Sequence, residues 1–381
     1  MKTTASCFFV LVLLIASTAT AQQPCSEPPR TPFINWPQFH FSPCHTGFNP
    51  YEFILSPSTV GNLTLKWSYT TGNDLYSSTA VVNGVVYILS EDGYVYALNA
   101  DTGAKLWSHF TEVGSSSAPA VVNGLVYVGT QDHKVHALNA STGAEIWTYT
   151  TGAEVYTTPA VADGVVYIVS YDGNIYALSA ATGAKLWSYE LNGMSGSSPA
   201  VADGVVYVGS GEGSLDALNA STGALLWTTY TGSASSTPTI ANGVVYVGCL
   251  YAVCAFNAAT GGGLWSSNLI VSFYSSAAVA NGVVYVGSDD DNVYALDAAT
   301  GAKLWSYATG SFVDSSPAVA NGVVYVGSYD HNVYALNAST GAKLWSYTTG
   351  ELVLSSPAVV NGIVYIGSWD HNVYAFGLPT H

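Results

Sequence analysis

Between residues 61 and 376 the chain repeats one pattern of apolar and polar positions. It is plainest over residues 315–350, SSPAVANGVVYVGSYDHNVYALNASTGAKLWSYTTG. Short runs rich in Val, Tyr, Ala and Leu are bounded by Gly, Asn, Asp and Ser, the signature of strands rather than helices. An Asn-Gly or Asp-Gly pair begins at 83, 123, 163, 203, 242, 281, 321 and 361. Such a pair between apolar runs predicts a tight hairpin, because both residues accept positive φ. Each period therefore reads as four strands, Pro-Ala-Val, Val-Val-Tyr-Val-Gly-Ser, Asn-Val-Tyr-Ala-Leu-Asn and Lys-Leu-Trp-Ser-Tyr.

The period is set by Trp67, Trp107, Trp147, Trp187, Trp227, Trp265, Trp305 and Trp345, spaced by 40 residues at every step except one of 38. Four short antiparallel strands in such a period make one propeller blade. The pattern predicts an all-β fold, an eight-bladed β-propeller with four antiparallel strands per blade. The first Trp strand, Leu63 to Tyr69, precedes any three-strand unit, and the last unit, Ser355 to Phe376, has no Trp strand after it. These complementary ends predict that the N-terminal Trp strand closes the ring as the outer strand of blade eight, leaving no free sheet edge.

The stretch ALNADTGAKLW at Ala97–Trp107, repeated with small changes up to Trp345, resembles the tryptophan-docking motif of the PQQ-like propeller repeats. The resemblance spans residues 61–376, and Trp36-Pro37-Gln38 is similar to a leader common in that family. It implies that the eight repeat tryptophans are structural, each stacked on a neighbouring blade's Thr-Gly turn. The family includes quinoprotein alcohol dehydrogenases, which use pyrroloquinoline quinone and calcium. It also includes non-catalytic members such as the propeller of the outer-membrane β-barrel assembly machinery. Fold alone does not choose between them.

The flanks complete the domain plan. Lys2, the apolar run Phe8 to Ala16 and Ala19-Thr20-Ala21 read as a signal peptide over residues 1–21. Gln22-Gln23-Pro24 before Cys25 does not match a lipid-anchor box, and no later run is long enough to span a membrane. Residues 22–60 form an N-terminal extension and 377–381 a tail. A secreted or periplasmic chain keeps Cys25, Cys44, Cys249 and Cys254, for which the simplest pairing is Cys25–Cys44 and Cys249–Cys254.

Charge narrows the partners. Asp and Glu number 24 against 8 Lys plus Arg, with Arg30 the one arginine. Nucleic acid and anionic membrane surfaces need clustered cations and are therefore poor partners. The quinone is a tricarboxylate that also needs cations, and the vicinal cysteines that the resemblance implies for a quinone site are missing, so the quinone and calcium are disfavoured. Asp330, His331, Asp370 and His371, in neighbouring turns between second and third strands, are candidate metal ligands. The same turn position holds His133, Gly93 and Gly173, so a backbone requirement for positive φ explains the histidines more simply than metal binding does. Acids recur there at Asp92, Asp132, Asp172, Glu212 and Asp290. Asp74, Glu112, Glu154 and Glu351 lie in the blade-to-blade loops on the same face, which predicts an acidic face for calcium or a cationic partner. Just before each first strand one position varies: Tyr76, Ser116, Tyr156, Gly196, Ser235, Tyr274, Asp314 and Leu354. Tyr76, Tyr156, Tyr274 and Asp314 are candidates for a ligand rim at the channel mouth. The leading reading is a monomeric, non-catalytic scaffold that binds a protein, peptide or glycan, with cell-envelope assembly as one setting. A PQQ-dependent dehydrogenase is the alternative, and a structural surface protein the second.

Overall fold

The computed structural model describes residues 35–379 apart from 233–235, 268 and 270–273. The signal peptide, Cys25 and Ser235 lie outside the described residues. Eight sheets carry the repeat, each with four of its strands in antiparallel order. Blade one shows the design: Ala80–Val82, Val85–Leu89, Tyr94–Asn99 and Lys105–Phe110, running from the channel outward. Its first hairpin turns on Asn83 (φ 51°) and Gly84 (φ 76°), as the pair requires. A bulge between Ala97 and Leu98 bends the sheet beside Trp107.

The two chain ends share blade eight. Leu65 pairs with Phe376, Trp67 with Ala375 and Ser68 with Tyr374, antiparallel. This closure does not remove every edge, contrary to the expectation. The outermost strand of each blade keeps one unpaired side, because blades meet face to face rather than edge to edge.

Apolar faces of adjacent blades fill the space between them. Tyr87, Leu89 and Val95 of blade one pack with Val126, Val128 and Leu138 of blade two, and burying each such side chain is worth roughly 1.5–3 kcal/mol. The tryptophans lock this contact. All eight indole N–H groups donate to a backbone carbonyl at 2.8–3.0 Å; those of Trp67 to Trp305 reach the alanine of the next blade's turn, and Trp345 reaches Leu63. Gly103 (φ +70°) shows why glycine ends that turn, since a Cβ there would lie 2.7 Å from the Trp67 ring.

A belt of hydroxyls ties the blades nearer the channel. The amides of Ala118, Thr158, Ser198, Thr237, Ser276, Ser316 and Ser356 each donate to the hydroxyl one blade on, ending at Ser78. The link from Ser78 to position 118 is missing, because Ala118 carries no hydroxyl.

The extension fills the channel. Residues 36–49 pass the innermost strands of all eight blades in turn. Amides of Val81, Val121, Val201, Ile240, Val279 and Val319 donate to the carbonyls of Trp36, Pro37, Pro43, Cys44, Thr46 and Gly47 at 2.7–2.9 Å. At Val161 the Gln38 side chain substitutes for backbone, accepting at 2.8 Å and donating at 3.1 Å. Asn49 donates to Val359, and Phe48–Asn49 pairs in parallel with Val319 and Ala320. Inside, His40 and His45 are wholly buried, and desolvation lowers their pKa values to about 4 and about 3, so both rings are neutral.

Candidate functional site

The two ends of the channel differ. Connections within a blade alternate between faces, so the Asn-Gly turns lie on one and the Asp turns on the other. The extension is fastened at the Asn-Gly end. Asn83 N–H donates to Asn35 at 3.0 Å, Gly362 N–H to Glu52 at 2.8 Å, and Asn321 to the Leu55 carbonyl at 2.8 Å. The Asp-turn face keeps its own mouth above residues 36–49, and the candidate site is there.

Two rings of side chains make that mouth. One is the variable position before each first strand, of which Ser235 lies outside the described residues. The second went unrecognised in the sequence; it is the residue just before each Asp turn, reading Glu91, Gln131, Tyr171, Gly211, Leu250, Asp289, Tyr329 and Trp369. Its variability within a constant repeat was the available signal. The rings meet in pairs. Tyr76 packs on Trp369 at 4.7 Å between ring centres, and Tyr156 on Tyr171 at 4.7 Å. Tyr329 donates its hydroxyl to Asp314 at 2.6 Å, and Gln131 donates to Glu91 at 3.3 Å. Tyr274 is 59% exposed, with its ring open to a partner.

The electrostatics are acidic. Desolvation, then the neighbouring Asp314, raise the Asp289 pKa to about 6. Desolvation also raises that of Glu91, with Asp74 adding to it against the Gln131 hydrogen bond. His371 lies 3.1 Å from Asp74, and His133 lies 4.0 Å from Glu154. Of the lysines among the described residues, Lys66, Lys105, Lys185, Lys303 and Lys343 sit on outermost strands, and Lys134, on this face, is taken up by Asp132 at 2.7 Å and Glu112 at 3.9 Å.

The turn acids are used by the fold. Asp330 accepts from Asn332 N–H at 3.0 Å, from Tyr334 at 2.6 Å and from Gly310 N–H of the incoming loop at 2.6 Å. Asp370 is bound alike by Asn372, Tyr374 and Gly350. His331 and His371 adopt φ 70° and 69°, beside His133 at 68° and Gly173 at 83°, the left-handed conformation the turn needs. Among the described residues Asp330, His331, Asp370 and His371 do not converge as a set of metal ligands. Each Asp instead fastens its turn to the loop arriving from the preceding blade.

The cysteines are structural. Cys249–Cys254 bridges the shortened second hairpin of blade five, with Cα atoms 6.0 Å apart. Cys44 is disulfide-bonded, and Cys25 is outside the described residues. No helix among the described residues is long and apolar enough to cross a membrane.

A family model described as outer membrane protein assembly factor BamB matches residues 64–118, 91–195, 172–249 and 251–379. Among solved structures, BamB from Moraxella catarrhalis is similar over 83% of this chain and 99% of its own, at 22% identity and a TM-score of 0.72. Quinohemoprotein alcohol dehydrogenase ADHIIG from Pseudomonas putida HK5 is similar over 91% of this chain and 80% of its own, at 18% identity and a TM-score of 0.79. The computationally designed Ika8 protein is similar over 81% and 97%, at 19% identity and a TM-score of 0.72. At these identities the structural likeness is one of fold. No curated protein matches the chain.

Proposed function

This chain belongs to the family of the outer membrane protein assembly factor BamB, and on that premise we propose that it is a non-catalytic, secreted or periplasmic scaffold. Its mouth holds an exposed segment of a partner protein. The observation that carries this reading is the mouth itself, a double ring of Tyr, Trp, Asp and Glu above a channel already filled by residues 36–49. Aromatic rings supply apolar contact at low entropic cost, and the carboxylates favour a segment bearing Lys or Arg. The Cys249–Cys254 bridge suits an oxidising compartment.

The quinoprotein alternative has the fold in its favour. The residues present do not fit a quinone with three carboxylates, because the mouth lines itself with acids and the described lysines lie on outer strands or against Asp132.

The test is calorimetry with an extended peptide rich in arginine and aromatic residues. Binding is expected to weaken with salt, and Trp369→Ala and Tyr76→Ala to cost roughly three- to tenfold each, from about 0.5–1.5 kcal/mol per aromatic contact. Dye reduction by the chain with quinone, calcium and an alcohol, or peptide affinity indifferent to both variants, would overturn the proposal.

A further inference from the structure

One seam between blades gathers a particular trio of side chains. At four of the eight seams the outer strand of one blade sets a tyrosine beside a tyrosine of the next: Tyr69 by Tyr96, Tyr149 by Tyr176, Tyr307 by Tyr334 and Tyr347 by Tyr374, at 5.5–5.8 Å between ring centres. Between blades one and two both positions are histidine, His109 and His136, at 6.5 Å. The position two before the tryptophan is Lys at 105, 185, 303 and 343, Leu at 65 and 225, Gly at 263, and Glu145 in blade two. Three repeat positions that vary among the blades thus all hold metal-ligating side chains where they meet in space.

The geometry is that of a ligand set. Glu145 Oε2 lies 3.0 Å from His136 Nδ1 and 3.9 Å from His109 Nε2. One ligand atom from each residue lies within 4.8 Å of the other two. Tetrahedral zinc with bonds of about 2.0–2.2 Å places its ligand atoms roughly 3.3–3.6 Å apart. Metal binding would draw the ligand atoms in from their present separations of up to 4.8 Å, and Glu145 is exposed and His109 half-buried, which leaves both free to turn. The outer shell is also in place. His136 is buried, and its Nε2 has no hydrogen-bond partner while facing Asp132 at 3.7 Å. Lys134 holds that carboxylate at 2.7 Å. With a metal on Nδ1, the Nε2 proton points at Asp132, the carboxylate–histidine–metal relay that orients a ligating imidazole. The His109 ring bonds the Gly143 backbone, as Thr229 bonds Gly261 at the equivalent place.

We propose that His109, His136 and Glu145 form a zinc site that ties blade one to blade two. Two imidazoles and a carboxylate suit zinc, and leave a fourth position for water. The inference is independent of the channel mouth and of its partner.

The test uses the untagged chain, stripped with chelator and titrated with zinc in a calorimeter, with cobalt absorption as a second readout. One equivalent is expected, with visible cobalt bands of tetrahedral intensity. The variant His109→Tyr/His136→Tyr/Glu145→Lys installs the residues found at three other seams and is expected to abolish both signals while keeping the propeller melt. Should that variant not fold, His109→Ala, on an outer strand, is expected to weaken zinc at least tenfold. His331→Asn/His371→Asn is expected to bind as wild type. No zinc uptake by the wild type, or undiminished uptake by the variants at 109, 136 and 145, would overturn the assignment.

Discussion

Replacing Trp67 with alanine tests how the ring is held shut. Trp67 belongs to the N-terminal strand that completes blade eight, pairing with Ala375. It is 9% exposed and covers Gly103 of blade one, and its N–H reaches the Ala100 carbonyl at 2.8 Å. One side chain thus joins the first strand of the domain, its last blade and its first. Truncating a packed Trp to Ala costs about 3–5 kcal/mol. The Ala100 carbonyl still accepts from Tyr365 at 3.2 Å, which keeps the loss near the lower end, since no buried acceptor is orphaned. For a domain of this length each kcal/mol moves the melting temperature by roughly 1–2 °C, so a loss near 3 kcal/mol is expected to lower it by about 3–6 °C by calorimetry. Trp67→Phe keeps the ring over Gly103 and loses the N–H, for about 1 kcal/mol. Trp187→Ala, at the same repeat position inside the ring, serves as comparator. A melt for Trp67→Ala within a degree of wild type, or Phe as damaging as Ala, refutes the reasoning.

Other perturbations probe other parts of the account. Ala118→Ser supplies the missing hydroxyl of the belt and is expected to stabilise by about 0.5–1 kcal/mol in urea unfolding; a loss of stability would contradict the belt. Removing the blade-five bridge with Cys249→Ala/Cys254→Ala is expected to cost about 2 kcal/mol, the loop-closure value for so short a loop; an unchanged midpoint would count against it. The pH response has two opposed parts. His40 and His45, held neutral with pKa values of about 4 and about 3, withhold protons that the unfolded chain accepts. Stability therefore falls as pH drops below about 6.5, by several kcal/mol in all. Asp289, raised to about 6, takes its proton earlier when folded, so it adds stability as pH falls from about 6 towards 4, about 1 kcal/mol after solvent screening. Asp289→Asn should therefore steepen the loss measured by unfolding at pH 7, 5.5 and 4.5, and a parallel curve would contradict this.

The repeat was legible because its signals are local. An Asn-Gly pair specifies its own turn at Asn83–Gly84, and a Trp spaced by 40 residues marks each outer strand. The extension was not legible in this way. Residues 36–49 have no period of their own, and their hydrogen bonds go to strands as far away as Val319 and Val359. Its path exists only once eight inner strands already line a channel. The turn acids were read as a charged face, but Asp330 and Asp370 spend their oxygens on backbone N–H groups and tyrosines of the fold. The rim position at Tyr76 and Asp314 was visible as variation. Its partners Trp369 and Tyr329 lie many residues away or across a hairpin, and pair with it only in space. The seam histidines were missed for a similar reason, since His109 and His136 stand 27 residues apart on different blades.

The account turns on a channel filled from one end, which makes the opposite mouth a binding surface and not a passage. Amide hydrogen exchange of the full chain reads this directly at Val81, Val121, Val161, Val201, Ile240, Val279 and Val319, whose N–H groups point inward to residues 36–47. All seven are expected to exchange slowly and at a common rate, opening only with the whole ring. Rapid exchange at these seven amides, as on a water-lined inner edge, would contradict it.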